Sequence, residues 1–306
     1  MAKRKVIISG TGGWLGKNTI NSLNDKFDLV CLSRNKQFIK DNENYSFFWD
    51  ASKNLDEIML DKEHYVLLHT AAYPYRLFKN TTTTYAEQIN REIKLLKSLI
   101  SGPPPKKIVY ISSSAVNSLG DHFISQDYKN VSKYGLAKFV VEQELVDYAI
   151  NNKIPYSILR PHSIFSYEER PSDNLGHLYS DLIYKILILK TPLISINLPK
   201  DYMMIFTPEK FYIKSIENEI LSNKASNIIN IINTWKKSLH DFVNEVAYFG
   251  LKEKILKVPP KFVYKQEFSD KQSLPLNKVH SCNVNPTGLI NQYLSSYFTN
   301  SSLGSN

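Results

Sequence analysis

Lys5-Val6-Ile7-Ile8-Ser9-Gly10-Thr11-Gly12-Gly13-Trp14-Leu15-Gly16 is the stretch whose reading decides the fold. A β-branched run ends at Ser9, glycines recur at 10, 13 and 16, and a helical pattern follows. Gly10 suits a tight turn, Gly13 lets an anionic group approach the backbone, and Gly16 permits close packing of helix on strand. The helix N-terminus behind them supplies amide donors and the positive end of a dipole. Strand, turn and helix together predict a cradle for the pyrophosphate of a dinucleotide, with Gly10, Gly13, Trp14, Leu15 and Gly16 as the residues that meet it.

Outward from this cradle, short β-rich runs recur at Phe27–Ser33, Tyr45–Trp49, Tyr65–Thr70, Lys106–Ser112 and Tyr156–Arg160. The segments between them leave room for crossover helices, which predicts a parallel sheet covered on both faces. Glu87–Ile100 sets Ile89, Ile93, Leu96 and Ile100 on one helical face, and Gly102-Pro103-Pro104-Pro105 ends that helix. Ser132–Asn151 reads as a second helix, with Phe139, Val140, Leu145 and Val146 toward the sheet. The expected fold is α/β, a doubly wound parallel Rossmann sheet over residues 1–165 with a smaller mixed α/β lobe over 166–306 that selects the substrate. A strand near 226–231 is expected to return to the main sheet.

The 306 residues are 42% apolar and 22% charged, which excludes disordered, collagenous and disulfide-scaffold classes. Cys31 and Cys282 stand alone, so neither a disulfide framework nor a metal site is expected. The N-terminus shows no signal-peptide pattern, and the most apolar later segment, Leu182–Leu198, is broken by Lys185, Lys190 and Pro192. The expected location is the cytoplasm, with no membrane partner. Lys plus Arg exceed Asp plus Glu by 38 minus 29, a net +9 that favours anionic partners. The basic residues are scattered and carry no nucleic-acid motif, so the partner expected is a small anion rather than nucleic acid.

An NAD-specific site carries an acid at the end of the second strand, where it binds the ribose 2′-hydroxyl. This chain has Ser33-Arg34-Asn35-Lys36 there. A guanidinium pairs with a 2′-phosphate and Ser33 adds a donor, which points to NADP(H) over NAD. Asp50, after the third strand, is placed to accept from the adenine amino group. Ala71 and Ala72, after the fourth, are small enough for the chain to pass close to the cofactor. His69 before them reads as a packed histidine.

Tyr134 and Lys138 stand four residues apart on one helical face. A cation beside a phenol favours its anionic form, which suits a tyrosine to acid–base work, and the lysine is also placed to reach the nicotinamide ribose. Upstream, Ser112-Ser113-Ser114 brings hydroxyls to the carboxyl edge of the sheet, where a serine can bind the carbonyl oxygen that the tyrosine protonates.

Glycine cradle, serine-ended fifth strand and Tyr134-Gly135-Leu136-Ala137-Lys138, in this order, resemble the extended short-chain dehydrogenase/reductase family. The resemblance takes in His69-Thr70-Ala71-Ala72, Asn90, Leu159-Arg160-Pro161 and Ile229-Asn230-Ile231. It implies Ser113 as the catalytic serine, because Val116 stands three residues on, with Ser114 as the fallback. Tyr134 becomes the proton donor and Lys138 its activator, while Asn90 matches an asparagine that steadies the sheet and active site. Asn117 departs from an aromatic residue of the pattern and Ser166 from a glycine, and both changes bear on the substrate.

The resemblance further implies an NADPH-dependent reductase of a nucleotide-activated 4-keto-6-deoxysugar, serving surface polysaccharide synthesis. Its alternatives are a nucleotide-sugar epimerase or dehydratase with retained NAD(P), and a non-catalytic NADP-binding sensor. A homodimer through the helices around Glu87 and Lys138 is the assembly that the resemblance allows.

Overall fold

The computed structural model describes residues 3–52, 55, 65–72, 85–117, 132–167, 169–171, 177–223, 226–265 and 278–298. The chain divides into two compact units. The first comprises residues 1–161, 210–231 and 273–280, and the second 162–209, 232–272 and 281–306.

In the first unit, six strands come in order: β1 (Lys5–Ser9), β2 (Asp28–Ser33), β3 (Ser46–Phe48), β4 (Val66–His69), β5 (Lys107–Ile111) and β6 (Tyr156–Pro161). Two more come late in the chain, β11 (Asn227–Asn233) and β14 (Lys278–Cys282). Among the described residues they form one eight-stranded sheet, in the order β14-β11-β6-β5-β4-β1-β2-β3. Pairing is parallel from β3 through to β11, with Ile7 beside both Val30 and Leu67, and Ile229 beside Leu159. The order 3-2-1-4-5-6 is that of a doubly wound fold, and it reverses direction between β1 and β4. Ligands of such sheets bind in the crevice outside the carboxyl ends at that reversal, where Gly10 and Ala71 follow their strands.

Helices α1 (Trp14–Leu23), α2 (Lys36–Asp41), α3 (Tyr85–Ile100) and α4 (Lys133–Asn151) follow β1, β2, β4 and β5. β1 and β4 are buried almost end to end, as strands covered on both faces must be. One core cluster joins Ile7, Leu67, Ile108 and Tyr110 of the sheet to Leu95, Leu96 and Leu99 of α3 and Val141, Leu145 and Ala149 of α4. Each such aliphatic side chain contributes ~1.5–3 kcal/mol relative to exposure.

The buried faces differ from those that the apolar spacing predicts. On α3, Ile89, Ile93 and Ile100 are only half-buried, and Glu92 joins Leu95, Leu96 and Leu99 inside. On α4, Phe139, Val140 and Val146 are half-buried while Lys138 and Glu142 are buried. Charged residues take up the inner stripe because each finds a partner there, and a count of apolar positions discards them.

The second unit pairs β7 (Ile164–Phe165) with β10 (Thr207–Pro208), β9 (Met203–Ile205) with β12 (Lys236–Ser238), and β8 (Leu193–Ile196) with β13 (Lys261–Tyr264). Helices α5 (Leu178–Ile183), α7 (Leu239–Lys252) and α8 (Pro286–Phe298) cover them, α6 (Glu209–Leu221) belonging mainly to the first unit. Phe165, Tyr179, Phe206, Phe242 and Tyr293 form its aromatic centre. Ser166 is buried and donates from Oγ to Glu209 Oε2 at 2.5 Å. No described helix is long and apolar enough to cross a membrane.

Candidate active site

At the carboxyl end of β1 the chain turns through Gly10, whose φ of +83° lies in the left-handed region. A Cβ there would stand 2.6 Å from Cα and N of Ala71, so glycine is required both by conformation and by the approach of the β4 end. Gly16 would place a Cβ 2.5 Å from the Gly10 carbonyl oxygen, which explains how α1 closes onto the turn. Gly12 lies against Ser33, its Cβ position being 2.6 Å from Oγ.

Gly13 is different. A Cβ on it would meet only the Gly10 carbonyl oxygen at 3.8 Å, an ordinary contact, so internal packing does not demand glycine. It is also the N-cap of α1 and offers no side-chain oxygen to the helix amides. Asn35, Ser132 and Ser238 do cap α2, α4 and α7 with their side chains. Serine or aspartate at position 13 would satisfy those donors internally, whereas glycine leaves them to an outside acceptor. An exposed glycine and a helix end that the chain leaves uncapped are what a pyrophosphate needs, so these residues fit a dinucleotide.

Around this turn, Ser33 is buried with Oγ accepting from Asn35 N at 3.0 Å, and Arg34 is exposed beside it. Ala71 is buried and Ala72 half-buried after β4. Leu15 is half-buried in the first turn of α1, which Trp14 opens. Asp50 is exposed and accepts from the amide and hydroxyl of Ser52 at 2.9 and 2.5 Å, which hold its carboxyl below the usual range. These are the contacts of a turn former.

His69 is fully buried, with Nδ1 2.8 Å from Ser9 Oγ and its ring stacked on Tyr110 at 5.2 Å. Burial, with the charge of Lys138 nearby, pushes it down to about 3, so it stays neutral at ordinary pH and serves packing. An unfolded histidine takes up its proton near 6.5, while this one resists until about 3. His69 therefore contributes stability that is complete above pH 6.5 and drains away as pH falls toward 3, at a slope approaching ~1.4 kcal/mol per pH unit. Urea midpoints measured from pH 7 to 4 should show that His69→Phe flattens this dependence.

The serines after β5 divide their work. Ser112 is buried and donates to Glu142 Oε1 at 2.5 Å. Ser113 is half-buried and caps a short 3₁₀ turn, Ser114–Val116, by accepting from Ala115 N at 3.2 Å, while its own hydroxyl proton remains a donor. Ser114 is half-buried in that turn. Tyr134 lies in the first turn of α4, whose start packs onto the 3₁₀ turn because Gly135 has no Cβ: one there would sit 2.5 Å from the Ala115 carbonyl oxygen. Gly135 is thus what brings the tyrosine's helix against the serine's turn. Glycine inside a helix costs ~1 kcal/mol against alanine, and that cost was the available signal for this residue.

Lys138 is only 2% exposed, and its ammonium faces inward. Nζ donates to Tyr110 Oη at 3.3 Å and to the Ile111 carbonyl at 3.4 Å, lies 4.0 Å from Glu92 Oε2, and stands 5.9 Å from the Tyr134 ring centroid. These contacts hold the ammonium between β5, α3 and α4. Asn90 is exposed on α3, and the polar group buried near the lysine is Glu92 instead.

Beneath the serines runs a polar chain that the sequence reading did not assemble. Glu142 accepts two bonds from Arg160, at 2.9 Å from Nε and 2.5 Å from Nη2, in the bidentate geometry of guanidinium and carboxylate. Arg160 Nη1 donates to Asn117 Oδ1 at 3.0 Å, and Asn117 Nδ2 donates to Asn230 Oδ1 at 2.7 Å. The amide of Asn117 thus links Arg160 of β6 to Asn230 of β11.

Comparison with known proteins agrees with this architecture. The profile of the NAD dependent epimerase/dehydratase family matches residues 6–200. UDP-glucose 4-epimerase of Vibrio cholerae is 24% identical over 172 residues, which are 53% of this chain and 52% of that protein. The chain thus spans about half the length of this curated relative. Among solved structures, MoeE5 in complex with UDP-glucose and NAD superposes with a TM-score of 0.70 at 16% identity, covering 98% of this chain and 100% of that one. UDP-glucose 4-epimerase of Thermotoga maritima with UDP-glucose gives 0.69 at 13% identity, covering 98% and 99%. With nearly two thirds of its length matched by that profile, on a sheet and glycine turn of the kind described, this chain belongs to the NAD dependent epimerase/dehydratase family, enzymes dependent on NAD(P) within the extended short-chain dehydrogenase/reductases.

Proposed function

We propose that this chain is an NADPH-dependent reductase of a nucleotide-activated 4-keto-6-deoxysugar. The observation that carries the reading is Tyr134 with Lys138 on α4, packed against the Ser113 turn at the carboxyl edge of the sheet. Support for the substrate class comes from relatives whose names carry UDP-glucose and from the net +9 charge, which favours an anionic diphosphate. The uncapped start of α1 and Gly13 would hold the pyrophosphate, and Arg34 the 2′-phosphate. The unpaired Cys31 and Cys282 fit a reducing compartment, and we assign the protein to the cytoplasm.

When bound, the cofactor supplies the hydride that reaches the carbonyl carbon. Tyr134 donates its phenolic proton to the carbonyl oxygen, completing the alcohol. Ser113 donates a hydrogen bond to the same oxygen while negative charge builds on it. Lys138 lowers the cost of the charge left on the tyrosine oxygen through its buried ammonium.

Incubation of the purified chain with NADPH and a panel of 4-keto nucleotide sugars, with products resolved by NMR, tests this. NADPH oxidation coupled to a new alcohol is expected. The epimerase names of the relatives favour a second reading, in which the cofactor stays bound and the hydride returns to the same sugar. Tightly held NAD(H) and interconversion of UDP-hexoses without added NADPH would replace the first reading with that one.

Arg34→Ala separates the two cofactors. Losing a charge-assisted contact to phosphate should raise the Kd for NADPH about 10-fold and leave NADH within about twofold. Equal weakening, read by nicotinamide fluorescence, would remove Arg34 from the 2′-phosphate.

A further inference from the structure

We propose that Glu92 is the positioning residue of the tyrosine–lysine pair, a buried carboxylate on α3 that balances the charge of Lys138 from behind and, with Tyr110, fixes the depth at which the ammonium faces Tyr134. The inference rests on the reading of Tyr134 and Lys138 as the proton-transfer pair.

Glu92 is 1% exposed and lies on the same face of α3 as Leu95, Leu96 and Leu99. A carboxylate in an apolar stripe is costly unless a charge or donors meet it. Lys138 occupies the matching place on α4, on the face that carries Val141 and Leu145. The two charged groups are 4.0 Å apart in a region that excludes water.

Four titratable groups face the ammonium: Glu92 from α3, Tyr110 from β5, Tyr134 from α4 and His69 from β4. His69 is neutral, and Tyr110 stacks on it while accepting from Nζ. Tyr110 is held protonated, since burial drives it upward and only partly yields to the cation beside it. Burial disfavours the charged ammonium, but the hydrogen bond to Tyr110 and the Glu92 carboxylate 4.0 Å away outweigh it and hold Lys138 above its usual range. Glu92 is the carboxylate of the set, so it sets how much positive charge reaches the phenol.

The test uses Glu92→Gln, which keeps the shape and removes the charge, and Glu92→Asp, which keeps the charge. With Glu92→Gln the ammonium pulls on the phenolic proton without a counter-charge. The alkaline limb of the kcat–pH profile for carbonyl reduction should move to lower pH by about one unit. KM for NADPH should stay within about twofold, and Glu92→Asp should return most of the wild-type profile. A profile unmoved by Glu92→Gln, or moved equally by both variants, would overturn the proposal.

Thermal unfolding supplies a readout that needs neither cofactor nor substrate. Glu92→Gln should lower the midpoint, and adding Lys138→Met to it should recover part of the loss, because the orphaned charge is then gone. Additive losses would also overturn the pairing. A wild type that neither binds NADPH nor turns over would sink the proposed function, while this unfolding cycle would still decide the charge pair.

Discussion

Tyr134→Phe is expected to lower kcat for carbonyl reduction by ~10²- to 10⁴-fold, with NADPH binding little changed. The substitution removes one oxygen from a ring that lies 5.9 Å from Lys138 Nζ and keeps the ring itself. Ser132 still caps α4 and Gly135 still seats it on the 3₁₀ turn, so Ser113 keeps its place. What disappears is the proton that must reach the carbonyl oxygen as hydride reaches carbon. A loss confined to kcat means that the interaction operates in the transition state, whereas a rise in KM alone would mean that the phenol merely binds substrate. Turnover within tenfold of wild type, measured under saturating NADPH, would take the proton-donor role away from Tyr134.

Glu142→Ala carries the largest expected cost in stability, ~3–5 kcal/mol by denaturant unfolding. Glu142 is fully buried and is met by Arg160 twice and Ser112 once. Truncation leaves the buried Arg160 without its carboxylate, and a serine hydroxyl without its acceptor. Against a typical total of about 5–15 kcal/mol, the loss is a large fraction. Arg160→Met placed on the same background should cost less than the sum of the two single changes, because removing both charges spares the protein an orphan. The effect should reach the site as well, since Ser112 immediately precedes Ser113 and Arg160 orients Asn117 at the end of the serine turn.

The glycine turn, the parallel strands and the tyrosine–lysine spacing were legible because each is a local demand. Glycine at position 10 answers to a positive φ, buried strands answer to water on neither face, and a four-residue interval answers to the helical repeat. The strand returning from near residue 230 was also visible as an apolar run, and it pairs with β6 as β11. Asp50 is less legible: a strand-ending aspartate fits an adenine contact and an Asx-type turn equally well in sequence, and the structure adds the bonds from Ser52 to one of its oxygens.

What stayed hidden depends on partners distant along the chain. Glu92 and Lys138 are 46 residues apart, and Glu142 meets Ser112 from 30 residues away and Arg160 from 18. Nothing near any of these residues announces the pairing, and a reading by hydrophobic period sends charged side chains to the surface. Gly13 inverts the pattern, since no close neighbour requires a glycine there and α1 starts without a side-chain cap. By itself, then, the sequence determined the parallel α/β sheet, the glycine turn after β1 and the tyrosine–lysine spacing on one helix, because these follow from backbone geometry over a few residues. Only the tertiary structure decided which charges lie inside and what neutralises them, because a buried ion is tolerated according to its neighbours in space.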